Sequence, residues 1–169
     1  MTTENKKWFV IITKSKAEKK VGKRLAELGI ENFVPLHRQL RQWHDRKKWV
    51  DISLFNSYIF VRTEEKHRTN VFEVIGVLKY LSIGEQISVL RGQEIERIKK
   101  LCSFDGEIEI SDASFEVGEE VQITEGHFIG FIGTLISTEN KNKLKIRFSD
   151  LNCFASVEIE KKYCKKFGV

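Results

Sequence analysis

Residues 38–50 place Arg38, Arg41, Arg46, Lys47 and Lys48 around Trp43, His44 and Trp49. Cations interleaved with flat rings suit one chemistry well: neutralising phosphates while a ring stacks on an unpaired base, with Trp43 or His44 as the stacking group. The competing reading is a solvated hairpin whose two tryptophans pack on each other. Directly downstream, Leu54, Phe55, Tyr58, Ile59, Phe60 and Val61 form an apolar strand. Its alternation sends Tyr58 and Phe60 to one sheet face and Ile59 and Val61 to the other. One face must build core. The other is either buried under a helix or forms a partner-binding patch.

Reactive groups elsewhere lack the spacing that catalysis needs. The carboxylates are scattered or lie in an acidic stretch, and no Ser/His/Asp or Cys/His signature occurs, so an enzyme is not expected. Cys102, Cys153 and Cys164 form no Cys-x-x-Cys pair, and His37, His44, His67 and His127 lack ligand spacing. No metal or cofactor is therefore expected, and the cysteines read as free thiols. Gly126, Gly130 and Gly133 are spaced neither as a dinucleotide fingerprint nor as a P-loop, and no helix follows them. Turns and close strand crossings in a small β unit explain them better, with Phe128 filling the interior.

These groups need a scaffold, and the periodicities supply one. Residues 8–13 read as a strand and 16–28 as a helix, opened by a Ser15 to Glu18 capping box and ended by Gly29. Ala17, Val21, Leu25 and Leu28 form its apolar stripe, leaving Lys16, Lys19, Lys20, Lys23 and Arg24 outward. Residues 30–36 read as a second strand with Pro35 near its end, and 44–47 as the tip of a hairpin. Helices are expected over 65–74 and 93–102, with a strand over 77–82 between them. The pattern is α+β with antiparallel pairing.

A break follows, because residues 105–125 hold eight acidic residues and no Lys or Arg. It divides a first domain, residues 1–103, from a linker, 104–116, and a second domain, 117–169. The second reads as all-β, with strands at 121–123, 133–136, 143–148 and 154–159 and a turn at 140–142, as suits a small barrel. The net charge of +5 is unevenly shared: residues 1–101 carry 21 Lys+Arg against 12 Asp+Glu, and the remainder 8 against 12. Only the first part is built to attract a polyanion, or else to present a solvated basic face. With 169 residues and 41% hydrophobic content the chain can form real cores. Neither an apolar run of membrane-spanning length nor a leader-like start is present, so a cytoplasmic monomer with no membrane partner is expected.

Taken together, the segments 7–12, 33–36, 54–61, 75–77 and 83–84, with the helix between the first two, resemble the NusG N-terminal domain, in the order that domain has them. Residues 121–133 resemble a KOW motif, the mark of an SH3-like β-barrel. Residues 42–50 further resemble the UpxY-like antiterminators, NusG paralogues associated with surface polysaccharide operons. The resemblance implies a transcription elongation or antitermination factor without catalytic residues of its own. Its polymerase-binding depression, which receives the clamp helices of the largest subunit, maps to Phe55, Tyr58, Phe60, Tyr80, Ile95 and Ile98. Its nucleic-acid face, turned to the DNA of the elongation complex, maps to Lys14, Lys20 and Arg24, with Arg46, Lys47 and Lys48 of the hairpin alongside. A second polymerase contact maps to His67, Arg68 and Thr69, and the KOW domain implies a ribosomal protein or termination factor as partner. Asn56-Ser57 stands where the family usually has Pro-Gly, and His127 replaces the commoner Pro of the KOW turn. An RNA-binding or ribosome-associated KOW protein is the alternative.

Overall fold

A computed structural model of the chain describes residues 5–112, 118–137 and 142–168. The fold is α+β, and the chain divides into two compact units. The first comprises Met1–His37 with Asp51–Cys102, the second Arg38–Val50 with Ser103–Val169.

In the first unit, β1 (Lys6–Thr13) pairs antiparallel with β5 (Tyr58–Glu64) on one side and β6 (Val77–Tyr80) on the other. β2 (Glu31–Phe33) extends the sheet beyond β5, and β9 (Val89–Leu90) pairs with the start of β1. β7 (Ser82–Ile83) and β8 (Gln86–Ile87) form a separate small hairpin. Register fixes the faces. Ile11 lies opposite both Ile59 and Tyr80, whereas Val10 lies opposite Phe60 and Phe33 lies opposite Phe60 from the other side. Because side chains alternate along a strand, Ile11, Ile59 and Tyr80 share one face, and Val10, Phe60 and Phe33 share the other.

The first face is covered by α1 (Glu18–Glu27), whose Val21 and Leu25 join Phe9, Ile11, Ile59, Val61, Val71, Val74 and Tyr80 in one core cluster. α1 ends as its sequence requires. Gly29 has φ 73°, its N–H reaches the Ala26 carbonyl, and the Ile30 N–H reaches the Leu25 carbonyl, which is a Schellman closure. α2 (Gly92–Cys102) buries Ile95, Ile98 and Leu101. Its Lys99 ammonium lies 5.9 Å from the Phe33 ring centroid, and Phe33 stacks on Phe60.

Four expectations are corrected. The capping box does not form: Ala17 occupies the N-cap with no side-chain bond, and the Glu18 carboxylate is directed elsewhere. Residues 30–36 are not one strand, because the chain leaves β2 at Phe33 and starts β3 (Leu36–Gln42) only after Pro35, which has no N–H to continue a ladder. Glu65–Glu73 is a 3-10 segment rather than an α-helix; Val71 is its single buried residue, so no 3.6-residue apolar stripe anchors an α-helix there. The stretch expected as linker contributes a strand, β10 (Ile108–Asp112), paired with residues 153–157.

β3 pairs with β4 (Lys47–Ser53), and the arm that most of these two strands form with their tip, Arg38–Val50, belongs to the second unit. That unit is otherwise one antiparallel sheet of β10, β11 (Glu119–Ile123), β12 (Ile132–Ser137), β13 (Asn142–Phe148), β14 (Cys153–Glu158) and β15 (Cys164–Lys166), in the order β10-β14-β13-β12-β11-β15. Val121, Ile123, Leu144, Ile146, Phe148 and Phe128 are buried there. Gly133 has a structural role: a Cβ at this position would lie 2.4 Å from the Lys145 carbonyl oxygen of the paired strand. β15 was not foreseen, and the expected turn at 140–142 falls largely outside the described residues. Among the described residues, no helix is long and apolar enough to cross a membrane.

Candidate functional site

The aromatic bend is built by three chain segments. Ser57 takes a left-handed conformation, φ 65°, so that the Tyr58 N–H closes onto the Phe55 carbonyl at 3.2 Å. This is where the family pattern has glycine, and a serine pays roughly 1–2 kcal/mol for that backbone geometry. Both polar ends of Ser57 are held: its N–H donates to Glu18 Oε1 at 2.6 Å, and its carbonyl accepts from the Thr13 N–H at 2.8 Å. The Leu54 N–H meanwhile donates to the Pro35 carbonyl at 2.7 Å, and the Ser53 hydroxyl to the Phe55 carbonyl at 2.9 Å.

Phe55 and Tyr58 stack across this bend with centroids 6.5 Å apart, and Phe55 meets Phe60 edge-on at 6.2 Å. Depth separates the three rings. Phe60 is 0% and Phe55 3% exposed, while Tyr58 is half-buried. Phe60 and Phe55 are therefore both support, with Ile95 and Ile98 equally buried on α2, and Tyr58 is the ring that reaches the surface.

Tyr80 does not join them. The register places it on the α1 face, where its ring meets Phe9 at 5.7 Å and Phe72 at 5.8 Å and its hydroxyl donates to the Arg68 carbonyl at 2.8 Å. It lines a groove of about 520 Å³ with Arg68, Thr69, Phe72, Lys79 and Ile87. So two residues of the expected second contact, Arg68 and Thr69, sit beside Tyr80, and His67 is exposed outside the groove lining. The groove is not legible in the sequence, which suggests an α-helix over 65–74 where the chain forms a 3-10 segment.

Burial pushes the Tyr80 phenol up from 10.0 to about 12, partly opposed by the Arg68 charge. The fold thus favours the neutral phenol. The stability this confers is complete below pH 10.0 and is lost as pH rises towards about 12. Thermal melts over that window should show a steeper alkaline fall for the wild type than for Tyr80→Phe. At neutral pH the same variant should lose about 0.5–1.5 kcal/mol with its hydrogen bond.

The basic residues fall into two sets. Lys14 and Lys20 are exposed on the first unit and Arg24 is half-buried on α1. In the hairpin, His44, Arg46, Lys47 and Lys48 are all exposed, and the Trp43 N–H donates to the Arg46 carbonyl at 2.8 Å to close the tip. The tryptophans do not pair with each other. Trp49 carries the Arg38 guanidinium at 5.5 Å, and Trp43, 55% exposed, has no ring partner among the described residues. An exposed indole on a basic hairpin is able to stack on a base.

The remaining reactive groups are muted. Burial pushes the Cys102 thiol up to about 12 and raises that of Cys164 as well. No metal-binding cluster occurs among the described residues.

Comparison with known proteins agrees with this architecture. The family described as "NusG: Transcription termination factor nusG" matches residues 6–99. The transcription termination/antitermination protein NusG of Rickettsia typhi is 25% identical over 95% of this chain and 90% of its own length. That of Rickettsia bellii is 28% identical over 96% and 91%, and that of Halalkalibacterium halodurans 25% over 92% and 95%. A solved structure described as "Domain interaction in Thermotoga maritima NusG" shares the fold with a TM-score of 0.55 at 23% identity, covering 98% of this chain and 99% of that one. A matched family domain over more than half the chain, near-full-length relatives and a common fold make this chain a member of the NusG family of transcription termination/antitermination factors.

Proposed function

We propose that this factor binds RNA polymerase through the Phe55–Tyr58 bend, seated on the clamp helices of the largest subunit, and contacts the DNA of the elongation complex through the basic hairpin. The observation that carries the reading is the bend itself. A serine is held in a left-handed conformation so that the half-buried Tyr58 stands at the surface end of a buried aromatic support, stacked on Phe55. Rings so anchored supply desolvated contact area at small entropic cost. Phe60, Ile95 and Ile98 hold the floor, while Lys14, Lys20 and Arg24 add cations to the nucleic-acid face.

His67, Arg68 and Thr69 supply the second polymerase contact, on the opposite side of the cleft, and the groove that Arg68 and Thr69 line with Tyr80 supports this reading. A factor that touches both sides binds the closed clamp better than the open one. It therefore shifts the population towards processive elongation and suppresses pausing and termination. The likeness of residues 42–50 to UpxY-like proteins points to particular operons, such as surface polysaccharide loci. The factor acts in the cytoplasm as a monomer of two domains, and the second, built around the β10–β15 sheet, recruits a ribosomal protein or termination factor.

An in vitro transcription assay with purified polymerase tests the proposal directly. Added factor should shorten pauses and raise read-through, and polymerase should retain it on a size-exclusion column. Co-sedimentation with ribosomes but not with polymerase would instead establish the RNA-binding alternative.

A further inference from the structure

We infer that Glu18 is the positioning residue of the polymerase-binding bend: its carboxylate, sent from the first turn of α1, latches Ser57 in the left-handed geometry that aims Phe55 and Tyr58. The inference rests on the polymerase-binding reading above and assigns it a residue outside the aromatic patch. Glu18 is 6% exposed, unusual for a carboxylate, and its Oε1 lies 2.6 Å from the Ser57 N–H. A buried carboxylate persists only where its oxygens are satisfied, and a backbone N–H facing an ionised acceptor makes one of the stronger hydrogen bonds a protein contains. The first turn of a helix also favours negative charge. Glu18 therefore has a physical reason to be where it is, and the reason is Ser57 rather than its own helix, whose N-cap carries no side-chain bond.

The consequence is local. From Tyr58 onward β5 is pinned by its ladder to β1, beginning with Tyr58 opposite Ile12. Upstream, Leu54 is tied to Pro35. Between Phe55 and Tyr58, the Ser57 carbonyl is held by the Thr13 N–H, which leaves the Glu18 bond to fix the N–H side of the one residue in a conformation that serine disfavours. Without the latch, Ser57 relaxes to negative φ, the peptide groups on either side rotate, and Phe55 loses its stack on Tyr58 while the sheet persists. Families with glycine at this position need no such latch, because glycine adopts the bend unaided. In this chain the carboxylate takes over part of what glycine does elsewhere.

The test uses the full-length, isotope-labelled chain with four variants: Glu18→Ala, Glu18→Gln, Glu18→Ala with Ser57→Gly, and Tyr58→Ala as reference. The Ser57 amide resonance and its exchange rate report the latch, the Tyr58 ring resonances report the bend, and affinity for purified core polymerase reports function. Glu18→Ala should move the Ser57 amide upfield, speed its exchange and weaken polymerase binding roughly tenfold or more. Glu18→Gln, which keeps an acceptor oxygen, should retain most of the affinity. Adding Ser57→Gly to Glu18→Ala should restore it, an outcome that a merely structural role for Glu18 does not produce. An unchanged Ser57 amide in Glu18→Ala overturns the latch, and so does full polymerase affinity in Glu18→Ala when Tyr58→Ala has lost it. If Tyr58→Ala itself binds normally, the polymerase reading fails and the latch stands or falls on the Ser57 and Tyr58 resonances alone. Should Glu18→Ala not fold, the shift of the Ser57 amide in Glu18→Gln decides.

Discussion

Phe60→Ala is expected to lose about 3–5 kcal/mol of folding stability, whereas Tyr58→Ala leaves the fold standing and abolishes retention by polymerase. The two residues are neighbours on one face of one strand, yet they differ in depth. Phe60 is fully buried, stacked on Phe33 at 5.9 Å and met edge-on by Phe55. Removing its ring opens a cavity beside Phe33 and Phe55 that the well-paired β1-β5-β2 ladder cannot collapse to fill. Tyr58 is half-buried at the start of β5, so its truncation removes contact surface with little core volume. Chemical denaturation of the two variants separates these outcomes. If Phe60→Ala unfolds at the wild-type denaturant concentration but loses polymerase, the ring is a contact and the floor is elsewhere. For the same reason a double Tyr58/Phe60 variant is a poor test of binding, since it confounds lost contact with lost fold.

What the sequence made legible follows from which forces are local. α1 is legible because its stripe, Val21 and Leu25, and its glycine terminator act within a few residues, and the Schellman closure at Gly29 forms as the pattern requires. The separation of Tyr58 and Phe60 from Ile59 and Val61 follows from alternation alone, but the strand begins only at Tyr58, because residues 54–57 form the bend. The failures are places where a distant partner decides. Ser15 and Glu18 have the letters of a capping box, but the Ser57 N–H, 39 residues on, offers Glu18 a better use. Ile108 and Ile110 alternate with polar residues as a strand should, yet the acidic density around them reads as linker until β14 provides the pairing. Tyr80 followed Phe55 and Phe60 by family position. The face on which it lies is set by the register of β6 against β1, which carries an irregularity between Ile12 and Thr13 that no sequence pattern announces. Within the candidate site, the sequence pattern names the aromatics but does not set their depth, which leaves Phe55 and Phe60 buried and Tyr58 half-buried. Depth is what distinguishes contact from support.

Neutralising Arg46, Lys47 and Lys48 together is expected to weaken DNA binding steeply at low salt and to flatten its salt dependence. Each duplex phosphate released contributes about 0.9 to the slope of log affinity against log salt, so three lost contacts remove roughly 2.7. The three cations are exposed on an arm whose tip is closed by a backbone bond between Trp43 and Arg46, so the substitutions leave that closure intact. Stability should accordingly stay within about 0.5 kcal/mol of wild type. Trp43→Ala provides the contrast. Its indole is exposed and carries no charge, so its loss should cost about 1–3 kcal/mol of binding to single-stranded DNA while leaving the salt slope unchanged. Trp49, held under Arg38, should tolerate substitution better in this assay because its face is already occupied. The two measurements separate the two chemistries that residues 38–50 combine. A changed slope with unchanged stacking makes the hairpin a phosphate clamp, and the reverse makes it a base reader. If neither variant alters affinity or slope, the hairpin's cations are solvent-facing and the nucleic-acid face belongs to Lys14, Lys20 and Arg24 alone.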